Sequence, residues 1–139
     1  MRLDDRIPNA ATCRSLELGM IRCLDEISEQ IRRNLGLSMT AAQIESVLRC
    51  DSNRVSEDAK RIIRQQADAY VARLLSAITE SGLDARAMPA VFLGGGAALL
   101  KRHVSAADGL FHPIILDDVS LNAKGYERLA AQLARKHER

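Results

Sequence analysis

The stretch Ala90-Val91-Phe92-Leu93-Gly94-Gly95-Gly96-Ala97-Ala98-Leu99-Leu100 decides the fold class of this chain. Its first four residues are apolar and predict a short buried strand, while the segment from Ala97 to about Ala106 predicts a helix. The three glycines between them leave the turn without side chains, so that another molecule can approach the backbone closely. The free N–H groups at the start of the helix also point outward. The glycines alone fit either a nucleotide site or an ordinary structural turn.

A second strand is predicted at Ile114-Ile115-Leu116, between Pro113 and the pair Asp117-Asp118. A helix connects the two strands, and we therefore expect them to be parallel with a right-handed crossover. Parallel sheets are normally covered on both faces and seldom consist of two strands alone. The sheet is therefore expected to be completed by another copy of the chain or by the rest of a larger α/β domain.

Three helices are predicted before the first strand. The first begins at Ser15 and is ended by Gly36, with an apolar stripe formed by Leu16, Met20, Ile21, Leu24, Ile27, Ile31 and Leu35. A capping box, Thr40-Ala41-Ala42-Gln43, opens the second helix, which carries Ile44, Val47 and Leu48.

The third helix is capped by Ser56 and ended by Gly82. Its buried side is predicted to hold Ile62, Ile63, Ala67, Tyr70, Leu74, Leu75 and Ile78. A last helix after the second strand is predicted to be capped by Asn122, with four residues facing inward: Tyr126, Leu129, Ala130 and Leu133.

The predicted fold is therefore a helix-dominated α/β domain in which three helices precede a βαβα unit. Residues 1–14 are expected to be an irregular lead-in, residues 15–82 a helical subdomain, and residues 83–139 the βαβα part with the glycine-rich motif. A chain of 139 residues fits one such domain.

Composition excludes several classes of function. The net charge of +2 and the scarcity of aromatic residues disfavour a nucleic-acid partner. No apolar run reaches the roughly 18 residues of a membrane span, and the first eight residues lack the apolar segment of a signal peptide. Three cysteines and three histidines are scattered without the spacing of metal ligands, which predicts reduced thiols, no metal site and a cytoplasmic protein.

Two motifs give the chain a resemblance to a known family. The segment Val91 to Leu100 resembles the adenosine motif of the actin superfamily, and Asn122-Ala123-Lys124-Gly125-Tyr126-Glu127 resembles the segment that opens the final helix in plasmid-segregating actin-like ATPases of the ParM/StbA type. The segment Ser15 to Ile21 is similar to the helix after the second phosphate hairpin of that family. The chain as a whole resembles the C-terminal part of such a protein, with a ribonuclease H-like nucleotide-binding domain.

This resemblance implies an ATP-binding, filament-forming protein of plasmid segregation. Gly94, Gly95 and Gly96 would form the turn beside the adenosine, Ala97 would offer its N–H group, and Leu99 and Leu100 would shape the wall for the purine. Packing in the core explains the two leucines equally well. Implied partners are further copies of the chain, the missing N-terminal domain and a DNA-bound adaptor protein.

The chain departs from the family in its catalytic parts. No Asp-x-Gly phosphate loop is present, nor is the acidic residue that positions water and magnesium. Because phosphoryl transfer depends on those groups, we expect this polypeptide alone neither to hydrolyse ATP nor to bind Mg-ATP tightly.

Two other hypotheses remain open at this stage. The first is a nucleotide-independent helical module that associates through its unfinished sheet. The second is a DNA-binding helix-turn-helix formed by Thr40 to Leu48 and the helix after Ser56. The long second helix, the long turn and the interleaved charges disfavour this alternative.

Overall fold

The computed structural model describes residues 1–5, 7–51 and 54–137, with the side chains of residues 129 and 132–137 outside that description. The fold is mixed α/β, 57% helical, with two small sheets, as the sequence predicts at this level. In chain order the elements are β1 (Arg2–Asp4), β2 (Ile7–Asn9), a short 3-10 helix (Ala10–Thr12), α1 (Met20–Leu35), α2 (Ala41–Leu48), α3 (Glu57–Glu80), β3 (Ala90–Leu93), α4 (Gly95–Leu99), α5 (Lys101–Ala106), β4 (Pro113–Leu116) and α6 (Leu121–His137).

The sequence predicts an irregular lead-in at the N-terminus, but the structure shows a hairpin there. Strands β1 and β2 form an antiparallel hairpin in which Leu3 lies opposite Pro8. The Asn9 amide donates to the Asp4 carboxylate at 2.7 Å, and the Arg2 N–H donates to Thr12 Oγ1 at 2.7 Å. Strands of three residues are too short to show an alternating apolar pattern, which is why the prediction was wrong.

Helix α1 begins at Met20 rather than at Ser15, with Gly19 as its N-cap. Cys23, Ile27 and Ile31, spaced four residues apart, form its buried stripe. Ile21 is 78% exposed, so its assignment to the buried stripe was wrong. Burial raises the pKa of the Cys23 thiol to about 11.

Helices α2 and α3 begin where their capping residues predict. The Thr40 hydroxyl accepts from Gln43 N–H while the Gln43 side chain accepts from Thr40 N–H, which confirms the capping box. Ser56 Oγ accepts from Ala59 N–H at 3.3 Å. Most of the predicted buried side of α3 is confirmed, although Leu74, Leu75 and Ile78 are only half-buried.

The hydrophobic core lies between α1, α2 and α3 and is extended by Leu99, Leu100 and Val104. Tyr70 of α3 is 2% exposed, and its hydroxyl donates to the Gly19 carbonyl at 2.9 Å. Beside it, Arg73 donates to the Glu26 carboxylate of α1. These contacts join α3 to the beginning of α1.

Strands β3 and β4 form the expected parallel pair, with Phe92 opposite Ile115. Phe92 and Ile115 pack against the core. The other face of the sheet is exposed and consists of Val91, Leu93, Ile114 and Leu116. We call these four residues the open sheet face.

Helix α6 begins at Leu121, and the Ser120 carbonyl accepts its first helical hydrogen bond, from Lys124 N–H. The prediction of Asn122 as N-cap was therefore wrong, because Asn122 lies inside the helix. Tyr126 is 73% exposed and Ala130 is exposed, in contrast to their predicted inward positions. The side chains of Leu129 and Leu133 lie outside the described part of the chain. Within the described residues, no helix combines the length and the apolar character needed to cross a bilayer.

Replacement of Tyr70 by Phe tests the contact between α3 and α1. It removes the donor to the Gly19 carbonyl without changing the packed ring, and we expect the free energy of unfolding to fall by about 1 kcal/mol. Urea denaturation measures the loss. The control is Tyr126→Phe, which removes an exposed hydroxyl and should leave the unfolding curve unchanged; an equal loss in both variants would contradict the assigned role.

Candidate functional site

The glycine turn, Gly94 to Gly96, connects the carboxyl end of β3 to α4. Gly94 has φ 93° and ψ 179°, a backbone conformation that is essentially restricted to glycine. Helix α4 begins at Gly95, two residues before the predicted start, and is followed by the separate helix α5 from Lys101. The chain therefore passes from strand to helix within a single residue, Gly94.

The other two glycines have different surroundings. A Cβ placed on Gly95 would have no heavy atom within 4 Å, apart from neighbouring chain and its own helix backbone, so the space beside this residue is open. A Cβ on Gly96 would lie 2.9 Å from Met20 Cγ, because the first side chain of α1 packs against this glycine. Gly96 therefore permits close packing of α1, whereas Gly95 faces free space.

The structure brings together the two sequence motifs that carry the family resemblance. A Cβ on Gly94 would lie 3.7 Å from the side-chain nitrogen Nδ2 of Asn122, in the first turn of α6. The glycine turn after β3 and the first turn of α6 after β4 therefore lie close together at the carboxyl end of the parallel strands.

A groove of about 620 Å³ opens at the same end of the sheet, and we call it the carboxyl-edge groove. It is formed by the end of α2, by α4 and α5, and by the loop after β4. Its lining comprises Leu48, Arg49, Cys50, Asp51, Ala98, Leu99, Lys101, Arg102, Ser105, Asp117 and Val119. The volume falls within the range of about 300–1,000 Å³ that is typical of small-ligand pockets.

Both signs of charge line the carboxyl-edge groove. Lys101 donates to the Asp117 carboxylate at 2.7 Å, and this hydrogen bond lowers the pKa of Asp117 below its usual value. Arg102 donates to the Cys50 sulfur at 3.2 Å. Arg49 lies 3.9 Å from Glu45, one helical turn away. The groove therefore offers carboxylates as hydrogen-bond acceptors and guanidinium groups that can stack on an aromatic ring.

Next to the groove, Asp118 fixes the path of the chain into α6. Its carboxylate accepts from Lys124 and from the hydroxyl and N–H of Ser120, and these bonds lower the pKa of Asp118 to about 2. The carboxylate is consequently ionised at neutral pH and holds the loop between β4 and α6.

The predicted nucleotide-binding residues occupy different positions. Gly94, Gly95 and Gly96 form the turn, Ala97 lies in α4, and Leu99 lines the carboxyl-edge groove. Leu100 lies in the core, where it is 3% exposed.

Sequence reasoning missed the groove residues from α2, because the segment from Cys50 was interpreted only as a helix break. A signal was nevertheless present. Polar residues directly after Leu48 and Leu116 indicate exposed ends of buried elements.

Comparison with family models, with curated proteins and with solved structures finds no match for this chain. Support for a function therefore comes from the groove and the glycine turn themselves. Among the residues that the structure describes, no three histidine, cysteine or acidic side chains are placed to hold a metal ion.

Replacement of Gly94 by Ala tests the backbone constraint at the turn. A side chain at φ 93° and ψ 179° is strained, and we expect a loss of about 1–3 kcal/mol in the free energy of unfolding. Chemical denaturation provides the measurement. Gly95→Ala is the matched control: its Cβ enters open space in a helix, so stability should be unchanged or slightly higher. A Gly94→Ala protein as stable as this control would show that the turn adopts another conformation in solution.

Proposed function

We propose that this chain is a nucleotide-binding part of an actin-like, filament-forming protein of plasmid segregation, and that the adenosine of ATP binds in the carboxyl-edge groove. The observation that carries the proposal is the position of this groove at the carboxyl end of two parallel strands, where open α/β sheets bind their ligands. The glycine turn adds a stretch of backbone without side chains on the same side of the sheet.

The residues of the site suit a nucleoside. Val119, which is 62% exposed, supplies an apolar surface for the flat face of the base, and the guanidinium of Arg49 or Arg102 supplies a stacking partner. The carboxylates of Asp51 and Asp117 accept hydrogen bonds, as the exocyclic amino group of adenine requires. Gly95 lies one turn before the groove residue Ala98 on α4, and the open space beside Gly95 would admit the sugar close to the backbone.

Filament formation, plasmid segregation and the choice of ATP are proposed from the resemblance of the glycine and Asn-Ala-Lys-Gly-Tyr segments. Supporting this, the two segments lie close together at Gly94 and Asn122. We propose further that the chain alone does not hydrolyse ATP, since the phosphate loops that orient Mg-ATP in this class have no counterpart in its sequence.

Thermal unfolding in the presence of nucleotide tests the proposal. ATP and adenosine should raise the melting temperature of the chain, and Gly95→Val should abolish the rise because its branched side chain fills the space kept for the ligand. The variant meets no heavy atom with its Cβ, so it should fold normally without ligand.

The control for this experiment is Ala42→Val, which adds the same two methyl groups at an exposed site in the first turn of α2. It should keep the full stabilisation by adenosine. Absence of stabilisation in the original protein at millimolar adenosine, or its survival in Gly95→Val, would contradict the proposal.

A second candidate function is self-association, and the open sheet face favours it. Val91, Leu93, Ile114 and Leu116 are apolar, adjacent and exposed, and such patches mark interaction sites. In this hypothesis the chain is an oligomerisation module that needs no nucleotide.

Light scattering distinguishes this second candidate. If the open sheet face joins two copies, Ile114→Lys should convert a dimer into a monomer, with no response to ATP. Ile21→Lys is the control, since Ile21 is also exposed but belongs to α1 and not to the open sheet face. If the original protein is monomeric at high concentration, the hypothesis of an oligomerisation module is excluded.

A further inference from the structure

A small cleft of about 220 Å³ lies between α2, α3 and α5, next to the carboxyl-edge groove. Arg64, Asp68, Arg102, His103 and Cys50 contribute the polar part of its lining, and we call it the arginine cleft. Its volume is below the range of about 300–1,000 Å³ for drug-sized ligands, and its occupant must therefore be small.

The two arginines of this cleft differ from most arginines in the structure. On the same helix, Arg61 pairs with Asp58 at 2.9 Å and Arg73 pairs with Glu26. Among the described residues, by contrast, Arg64 and Arg102 form no ion pair with a carboxylate, and Arg102 instead donates to the Cys50 sulfur at 3.2 Å. The described lining of the cleft therefore holds two guanidinium groups without a direct carboxylate partner, against the single carboxylate of Asp68.

The histidine of the cleft, His103, is held in a fixed orientation. His103 is 7% exposed, and its Nδ1 lies 2.6 Å from Asp68 Oδ1, so the carboxylate selects the tautomer with hydrogen on Nδ1. Asp68, the one carboxylate among the described residues of the lining, is engaged by this hydrogen bond and keeps its negative charge, so the two arginines still outnumber it. Nε2 has no hydrogen-bond partner among the described residues. Because every fully buried side-chain nitrogen or oxygen among the described residues has a partner, Nε2 is partly accessible, and in this tautomer it is a hydrogen-bond acceptor.

A larger cavity is also lined by His103, but the charged residues of its lining are different. It is also lined by Asp68, but adds Glu80 and Asp108, and its arginine, Arg86, is paired with Asp84 at 3.1 Å. An anion is therefore disfavoured there and favoured in the arginine cleft.

We propose that the arginine cleft binds a small oxyanion, a phosphate group above all, through the guanidinium groups of Arg64 and Arg102. Guanidinium groups match the geometry of phosphate oxygens and form charge-assisted hydrogen bonds with them. Because Arg102 also lines the carboxyl-edge groove, the phosphate is either free inorganic phosphate or a phosphate group of a nucleotide bound next door. Inorganic phosphate binding does not depend on the proposed adenosine site.

Calorimetric titration of the full chain with inorganic phosphate, at constant ionic strength set by chloride, tests this site. We expect binding of the original protein and about tenfold weaker binding for Arg64→Gln and for Arg102→Gln. Arg61→Gln is the matched control, since it removes an equal charge one turn away on the same helix, outside the cleft. Neither cleft arginine is a core residue, so we expect each variant to fold, and melting followed by circular dichroism checks this.

The outcomes separate clearly. Equal weakening in Arg61→Gln and Arg64→Gln, or no heat of binding with phosphate, overturns the proposal. If phosphate displaces ATP but not adenosine, the cleft takes the phosphate group of a nucleotide; if it displaces neither, the cleft takes free phosphate. Where adenosine fails to bind at all, the nucleotide proposal fails while the phosphate titration still tests the cleft.

Discussion

The buried contact between α1 and α3 is the interaction on which the rest of this structure depends. Cys23, Ile27 and Ile31 of α1 pack in one cluster with Ile63, Ala67 and Tyr70 of α3. The Tyr70 hydroxyl fixes the beginning of α1 by its bond to the Gly19 carbonyl. The next residue, Met20, packs against Gly96. The position of the glycine turn is therefore tied to the helical core through the first residue of α1.

The candidate site consequently combines elements that are far apart in the sequence. The end of α2, the helices after β3 and the loop after β4 meet at one edge of a two-stranded sheet. The two strands leave one face of their sheet exposed. The sheet is therefore stabilised from its other face, which packs against the core that α3 forms with the buried residues Leu99, Leu100 and Val104. Charged groups lie at the edge of the sheet rather than on its open face, which keeps the apolar and the polar surfaces separate.

Local signals in the sequence predict the helices and the parallel strands well. Ser56, the capping box at Thr40 and the apolar runs at Ala90 and Ile114 each determine structure through neighbouring residues, and the structure agrees with them. The hairpin of β1 and β2 was missed because its strands are too short for a periodic pattern. Tyr126 was predicted to face inward but is exposed. The apolar face of a helix is buried only if a neighbouring element covers it, and the local sequence does not determine which element does so. The glycine turn is predicted from neighbouring residues, whereas Arg49, Asp51 and Asp117 come together in the carboxyl-edge groove only through tertiary packing.

The unequal burial of the three cysteines has a practical consequence. Cys13 and Cys50 are exposed, while Cys23 lies in the α1–α3 contact with its thiol protonated at neutral pH. Thiol-directed reagents will therefore modify Cys13 and Cys50 and spare Cys23, since the thiolate is the reactive form. A Cys13→Ser chain treated with a thiol reagent is thus modified at Cys50 alone, in the lining shared by the groove and the cleft, while the core is left undisturbed.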